Sequence, residues 1–568
     1  RLYFDTQGNS SRTYSSISQS NTNNSSYSLR GQLSYSDVYR EIHRFSVLAG
    51  AEIRGEKAEG IFEKRYGYDP VTGNSAMPVP KDPGNGEGFK YSDLVSYANA
   101  MDQLSGQEIE ENRFASFYGA LDYSLFDRYV LNVSFRTDGS NNFGSDEQFN
   151  PTWSAGAVWH VSEETFMEVV RPVLSRLSLR VATGYTGNIN KTVKPNLMMK
   201  YYKNFRISDD ENYRMGYINN APNPKLRWEK TRDVKVALDF GLWKDRINGI
   251  VEAYWRKSKD CVTSEYVPVT TGFFNQSYNT SVLQNNGVEF SLSVAVLKSK
   301  DYNLSVSANV AWNQNKLKKY NSPNTSLALD KYVGYPMGAV FSGKYEGIDP
   351  ETGMYKFKLR PDAVTNKDGY LREPNNYYYY LGTSVAPFTG GFNLNFSYKN
   401  IGLSVGGSYS VKAKMVDNIE SPAGYELLSG SKLESIPTPH NDLYRNHLNV
   451  KREVRNRWTP ENRTGVKYPR LIDAYGKKLG LDLTNPTLTT ITRGALLEDI
   501  SYLRINTIAL SYSLPQRVLE RINFSSAALN LTLNNFFTIT KYSGIDPEVP
   551  GATYPVSRSV TIGLNVGF

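Results

Sequence analysis

Residues Arg558 to Phe568 alternate without a break. Val560, Ile562, Leu564, Val566 and Phe568 fall on one side of the chain, and Ser559, Thr561, Gly563, Asn565 and Gly567 on the other. A period of two is the signature of a β-strand. Its length matches the roughly 9–11 residues of a tilted strand that crosses a bilayer. A soluble sandwich ending flush on an apolar strand would carry an adhesive edge, whereas a closed membrane barrel removes that edge by pairing its last strand with its first.

The same alternation recurs upstream. Tyr129, Leu131, Val133 and Phe135 oppose Val130, Asn132, Ser134 and Arg136. Val288, Phe290, Leu292 and Val294 oppose Glu289, Ser291 and Ser293. Leu304, Val306, Ala308 and Val310 oppose Asn303, Ser305, Ser307 and Asn309, and similar runs occupy 392–399 and 401–409. One face is apolar with aromatics near its ends, and the other is built of Asn, Ser and Gly. That division fits lipid outside and a wet lumen inside. A soluble up-and-down barrel would turn the apolar set inward and demand close volume matching there. The mean hydropathy of −0.49 reflects the polar face. No apolar run approaches the 18 or so residues of a membrane helix.

The connections alternate as well. Short turns fall at Phe126-Asp127-Arg128, Lys244-Asp245-Arg246, Ser299-Lys300-Asp301 and Lys399-Asn400, with somewhat longer ones around 161–175 and 515–525. Between them lie polar stretches at about 56–112, 138–151, 186–229, 259–285, 316–337 and 411–499. Short turns on one rim and long loops on the other are the barrel pattern. Strand parity stays consistent if 338–387 holds zero or two spans, and the last strand then runs inward. Roughly sixteen strands of about 9–11 residues are expected. Ser162-Glu163-Glu164 reads as a capped turn before Thr165–Val170, and Gln516–Ile522 as a short helix.

Several stretches resemble the SusC/RagA family of TonB-dependent outer-membrane transporters. They are Arg136-Thr137-Asp138-Gly139-Ser140 with Phe143-Gly144, the run Trp159 to Met167 (WHVSEETFM), Leu177 to Asn188 (LSLRVATGYTGN), Asn286-Gly287-Val288-Glu289, Tyr502 to Pro515 (YLRINTIALSYSLP), and Asn534 to Phe537 followed by Thr540 to Glu548 (TKYSGIDPE). They run in order from about residue 135 onward. The resemblance implies an all-β transmembrane antiparallel barrel, with residues 1–568 forming the latter sixteen or so strands of a 22-stranded barrel. The motifs of the family's N-terminal plug are not in this sequence. Leu2-Tyr3-Phe4 reads as the interior of a strand, so the natural start is expected to lie upstream. On this reading the chain alone does not close into a gated barrel.

The resemblance further implies a multi-pass protein of the bacterial outer membrane that imports an oligosaccharide or oligopeptide. Its implied partners are a SusD-like surface lipoprotein as lid, TonB acting through the absent N-terminal part, the plug and first strands of the same protein, and the lipid bilayer. A passive porin or structural barrel is the alternative. A siderophore receptor is a weaker one, against which the SusC-type motifs argue.

Candidate residues are few. The run Tyr377-Tyr378-Tyr379-Tyr380 offers flat apolar faces with polar tips, suited to substrate contact or to an aromatic girdle at the outer interface. Arg136 and Asp138 are either a lumen ion pair or a turn with an Asp cap. Phe568, at the end of its strand, resembles the aromatic assembly signal of outer-membrane barrels. Asp349-Pro350-Glu351-Thr352-Gly353 is a turn signature, and the following Asn366-Lys367-Asp368-Gly369 is too sparse for a calcium cage. No metal or other cofactor is expected. Cys261 is the one cysteine, and the four histidines show no ligand spacing. Glu163-Glu164 and Glu461 have no opposed carboxylate for hydrolysis, so no enzyme is expected. The net charge of +9 is spread without an aromatic-interleaved basic tract, so nucleic acid is not an expected partner.

Overall fold

A computed structural model describes residues 16–66, 71–74, 105–190, 193–201, 205–208, 211–213, 216–320, 332–351, 353, 355–362, 378–416, 456–466, 493–550 and 554–568. Their dominant feature is one antiparallel sheet. Its strands are β1 (Ser16–Tyr39), β2 (His43–Tyr66), β3 (Ser105–Leu125), β4 (Tyr129–Ser140), β5 (Phe149–His160), β6 (Leu174–Asn188), β7 (Glu229–Leu242) and β8 (Ile247–Tyr266). They continue as β9 (Asn275–Lys298), β10 (Tyr302–Lys319), β11 (Phe388–Tyr398), β12 (Ile401–Val411), β13 (Tyr502–Ser513), β14 (Ser526–Thr540) and β15 (Ser559–Gly567). The spatial order is the chain order, so every strand pairs with its sequence neighbours. The main sheet has fifteen strands among the described residues, against the sixteen or so expected from sequence; Leu2-Tyr3-Phe4 lies outside the described residues.

Register turns the alternation into continuous rows. Leu297, Leu304, Phe396, Leu403, Leu510, Leu531 and Ile562 stand opposite one another across β9 to β15. The next row on that face is Val294, Val306, Leu394, Val405, Ile508, Leu533 and Val560. Between them, on the other face, run Ser305, Asn395, Ser404, Ala509, Thr532 and Thr561. The first strands do the same with Tyr35, Val47, Leu121, Val133 and Ala155. The apolar face is bare: Leu33 is 81% exposed and Ile562 72%. Side chains of this kind left open to water over so wide a band would make the chain insoluble, whereas hydrocarbon is their natural solvent. Tyr302, Tyr398 and Tyr512, with Ile401 between the last two, form a row beside the short turns, where an amphipathic ring meets the headgroups.

The two rims differ as parity requires. The connections 40–42, 126–128, 161–173, 243–246, 299–301, 399–400 and 514–525 lie on one rim, and the other seven, five of them longer than any of these, lie on the other. Tight hairpins favour a left-handed backbone that follows the strand twist. Arg40, Glu41, Phe126 and Asp127 adopt it, with φ of 53°, 61°, 56° and 55°. The described residues of 338–387 contribute no strand to the main sheet. Their strands pair among themselves, Ala339–Gly343 with Tyr378–Thr383 and Tyr345–Ile348 with Tyr355–Phe357.

Two expectations need correction. Strands of 24 residues in β1, β2 and β9 far exceed the expected length. At about 3.3 Å per residue they outreach the hydrocarbon layer and stand up as ribbons on the long-loop rim. The loops are correspondingly shorter: 56–112 shrinks to 67–104, and 259–285 to 267–274. Polar side chains on both faces of these extensions had hidden the pattern that identifies a strand. The Ser162 turn also differs. It is two single 3-10 turns, Val161–Glu163 and Thr165–Met167, with no side-chain cap bond at either start. The helix α1 (Gln516–Arg521) is present as expected.

Candidate functional site

The face opposite the lipid is the candidate site. Over β10 to β14 it is concave and lined by Asn303, Ser305, Asn395, Ser404, Ser511 and Asn530, which border a cavity of about 420 Å³. Small polar side chains leave room for water and offer hydrogen bonds without fixed charge. Over β6 to β8 the same face carries opposed charges. Arg180 pairs with Asp239 at 2.6 Å, Arg256 with Asp233 at 2.7 Å and Lys235 with Glu252 at 3.2 Å. Such partly solvated pairs contribute little to stability but set a polar, charge-balanced wall.

Toward the long-loop rim, Arg136 and Asp138 are ion-paired at 2.7 Å. Ser116 donates to Asp138 at 2.6 Å and accepts from Arg136 at 2.9 Å. Both residues lie within β4, which runs on to Ser140, so Asp138 accepts from side chains and not from a turn amide as an Asp cap would. They border a cavity of about 350 Å³ together with Glu52, Arg54, Phe114 and Trp228. The rest of that motif builds the rim. Asn142, 2% exposed, donates to Asn112 at 2.7 Å and accepts from Lys194 at 2.9 Å. Phe143 stacks on Trp228 with centroids 4.7 Å apart. Gly144 donates its N–H to the Leu226 carbonyl, and a Cβ on it would sit 1.8 Å from the Pro224 oxygen, which is why glycine stands there.

The loops after β10, β12 and β14 are knit into one body. Ala413, Ile500 and Tyr542 form a buried cluster that Ala386 and Met415 cover. Lys414–Val416 pairs with Leu497–Asp499, and Ser543 donates to Glu498. Beneath the cluster, Arg504 of β13 is 2% exposed and grips Asp546 and Glu548, the latter at 3.0 Å. Burial pushes the Asp546 carboxyl up, but the amides of Glu548 and Val556 and the Arg504 guanidinium outweigh it and hold the carboxyl below its ordinary value. Sequence reasoning missed this clamp. Its signal was the pairing of two of the family-like stretches, YLRINT and GIDPE, across 42 residues.

The tyrosine run sits in this loop body rather than in the bilayer interface. Tyr377 lies outside the described residues. Tyr378 is buried, Tyr379 donates to the Leu359 carbonyl at 2.9 Å, and Tyr380 packs on Tyr335 at 4.8 Å and Phe341 at 5.7 Å. Tyr380 is 40% exposed, the most open of the described three. Phe568 is exposed on the short-turn rim, edge-on to Phe524 at 5.0 Å. Asp349 closes its own turn by accepting from Glu351 at 2.8 Å. The stretch 366–369 lies outside the described residues, and among those described no group of three or more His, Cys, Asp or Glu is set to hold a metal.

An antiparallel wall with apolar rows outside, a wet face inside and long loops on one rim defines an outer-membrane β-barrel. The chain belongs to the family described as TonB dependent receptor-like, beta-barrel, which matches residues 1–429. Members of that family reside in the outer membrane. The chain is 26% identical to TonB-dependent receptor P26 of Formosa agariphila over 610 aligned positions, covering 100% of this chain and 55% of the relative. It is 26% identical to TonB-dependent receptor SusC of Bacteroides thetaiotaomicron, covering 92% of this chain and 48% of that protein. The chain thus spans about half the length of the curated relatives it matches. Among solved structures, that of the RagAB peptide transporter superposes with a TM-score of 0.74 at 24% identity, covering 97% of this chain and 56% of that one. Its open-open state gives 0.73.

Proposed function

We propose that this chain forms most of the wall of a TonB-dependent importer that moves an oligomeric nutrient, a glycan or a peptide, across the outer membrane. The observation that carries the reading is the continuity of the wet inner face, rows of Ser, Asn and Gly, with a bound body of loops on the long-loop rim. A polar oligomer captured among the loops meets an unbroken hydrogen-bonding surface on its way inward. A SusD-like surface lipoprotein is proposed as the lid over those loops, and TonB as the energy source, acting on the part of such proteins that this chain does not span. The names of its relatives, SusC and a RagAB peptide transporter, support the class and leave both substrates in play. No bond is broken in this scheme, and no residue is assigned a catalytic step.

A passive porin would be closed by its own strands. Among the described residues β1 and β15 are the two ends of the sheet and do not pair with each other. In hydrocarbon each unpaired strand edge leaves backbone groups unsatisfied at several kcal/mol apiece. This favours a wider barrel completed by further strands. The test is uptake of labelled oligosaccharide and oligopeptide mixtures by cells with and without the intact protein, before and after collapse of the proton gradient. Uptake that needs both the protein and the gradient supports import; uptake that needs the protein alone would promote the porin reading.

A further inference from the structure

The connection between β5 and β6, residues 161–173, is the longest short-rim connection. It does not fold under the lumen. Glu164 accepts hydrogen bonds from the Tyr129 hydroxyl, from Trp159 Nε1 at 3.0 Å and from Arg128 Nη1 at 3.3 Å. Tyr129 and Trp159 stand opposite each other in register, belong to the apolar face and stack with planes 15° apart. The carboxylate therefore pins the connection to the outside of the wall, at the level of the aromatic rings. Met167 turns inward and is buried. Phe166, Val169, Val170 and Val173 turn outward, and Val169 is 87% exposed. Trp243, from the adjoining turn, is half-exposed beside them and is held there by its N–H to the Val173 carbonyl at 2.7 Å. Ser175 and Asp245 tie the two turns a second time, at 3.1 Å.

Five large apolar side chains thus stand exposed on two turns tied to each other, and Glu164 ties the first of these turns to the lipid-facing rings Tyr129 and Trp159. We propose that residues 161–173, with Trp243, are an interfacial foot that inserts into the headgroup and acyl boundary of the inner leaflet. The occupant of the patch is phospholipid. Continuity decides this: a patch opening on the periplasm would have its anchor on the polar face, and here two of the three contacts of Glu164, Tyr129 and Trp159, are rings of the lipid-facing side, the third being Arg128 of the turn. The foot also accounts for the spacing in WHVSEETFM. Trp159 supplies a donor, Glu164 the acceptor five residues on, and Phe166 the first inserting side chain. An apolar group at this depth gains free energy by leaving water, and the polar turn backbone stays wet.

The test uses the intact protein reconstituted in vesicles of phosphatidylethanolamine and phosphatidylglycerol, in a Cys261→Ser background. A fluorophore is attached at Val169→Cys and, as a control on a turn without such a patch, at Lys300→Cys. The expected result is strong quenching at position 169 by brominated lipid and several-fold less quenching by aqueous acrylamide than at 300. Equal acrylamide quenching at both sites overturns the proposal. So does protection at 169 that depends on crosslinking to a periplasmic protein and not on brominated lipid. Glu164→Ala in the same labelled protein is expected to move the label into water while the barrel stays heat-modifiable. Lipid contact unchanged in that variant contradicts the pinning. If that variant does not assemble, the comparison of 169 with 300 decides alone.

Discussion

Arg504 and Asp546 meet inside the loop body, 42 residues apart in sequence, and each is almost wholly shielded, with side-chain exposures of 2% and 6%. Two ions removed from water this completely depend on their hydrogen bonds being met; Arg504 places Nη2 on Asp546 and Nη1 on Glu548, while its buried Nε has no partner. Asp546 is satisfied by Arg504 and by the amides of Glu548 and Val556, each at 3.0 Å. The pair fastens the connection 541–558 to β13, and through Tyr542 to the cluster beneath the outer loops.

Removing one partner leaves the other charge stranded. Arg504→Met is expected to destabilise the loop body by about 3–5 kcal/mol. Limited proteolysis should then cut within 541–558 while the strands remain protected. Arg504→Met combined with Asp546→Leu should recover much of the loss, because no buried charge is left. If the double variant is cut as fast as the single one, the clamp has been misread as electrostatic.

The clamp has a definite pH dependence. The Asp546 pKa is lowered in the folded protein, so its contribution is present above the unfolded-state value and is lost as pH falls through the folded one. Protection of 541–558 should therefore survive acidification through the usual carboxylate range and fail only below it. The same proteolysis read against pH checks this; loss already near neutrality would assign the protection to another group.

Gly144 and Gly31 offer a matched contrast. A Cβ at Gly144 would collide with backbone of Pro224, whereas at Gly31 nothing lies within 4 Å. Gly144→Ala should cost at least the roughly 1–3 kcal/mol of an overpacked site, since backbone must shift. Gly31→Ala should be close to silent. Thermal unfolding of the two variants in one detergent makes the comparison.

What the sequence disclosed is explained by where period two was visible. In β10, Leu304, Val306 and Val310 alternate with Asn303, Ser305 and Asn309, and register carried that pattern across seven strands. The turn at Phe126-Asp127 and the helix after Pro515 were equally plain. The tops of β1, β2 and β9 were not, because residues such as Asn21 to Ser26 are polar on both faces once the strand leaves the bilayer. The clamp, the Glu164 anchor and the Asn142 hub escaped for a different reason. Each joins residues of different strands and loops, and only the register brings them together. Of the named site residues, Arg136 and Asp138 proved to be side-chain partners within a strand, while the tyrosine run was absorbed into a loop body that no periodicity announces.

The central claim is that the two faces of this sheet meet different solvents, lipid and water. Val306 and Ser305 are neighbours in β10 and point to opposite faces. The decisive measurement is the unfolding free energy, in lipid vesicles, of Val306→Arg against Ser305→Arg. An arginine facing hydrocarbon costs about 2–4 kcal/mol at the midplane and less toward the interfaces. The account predicts a loss on the order of 2 kcal/mol for Val306→Arg and a far smaller one for Ser305→Arg. Equal losses at the two positions would contradict it.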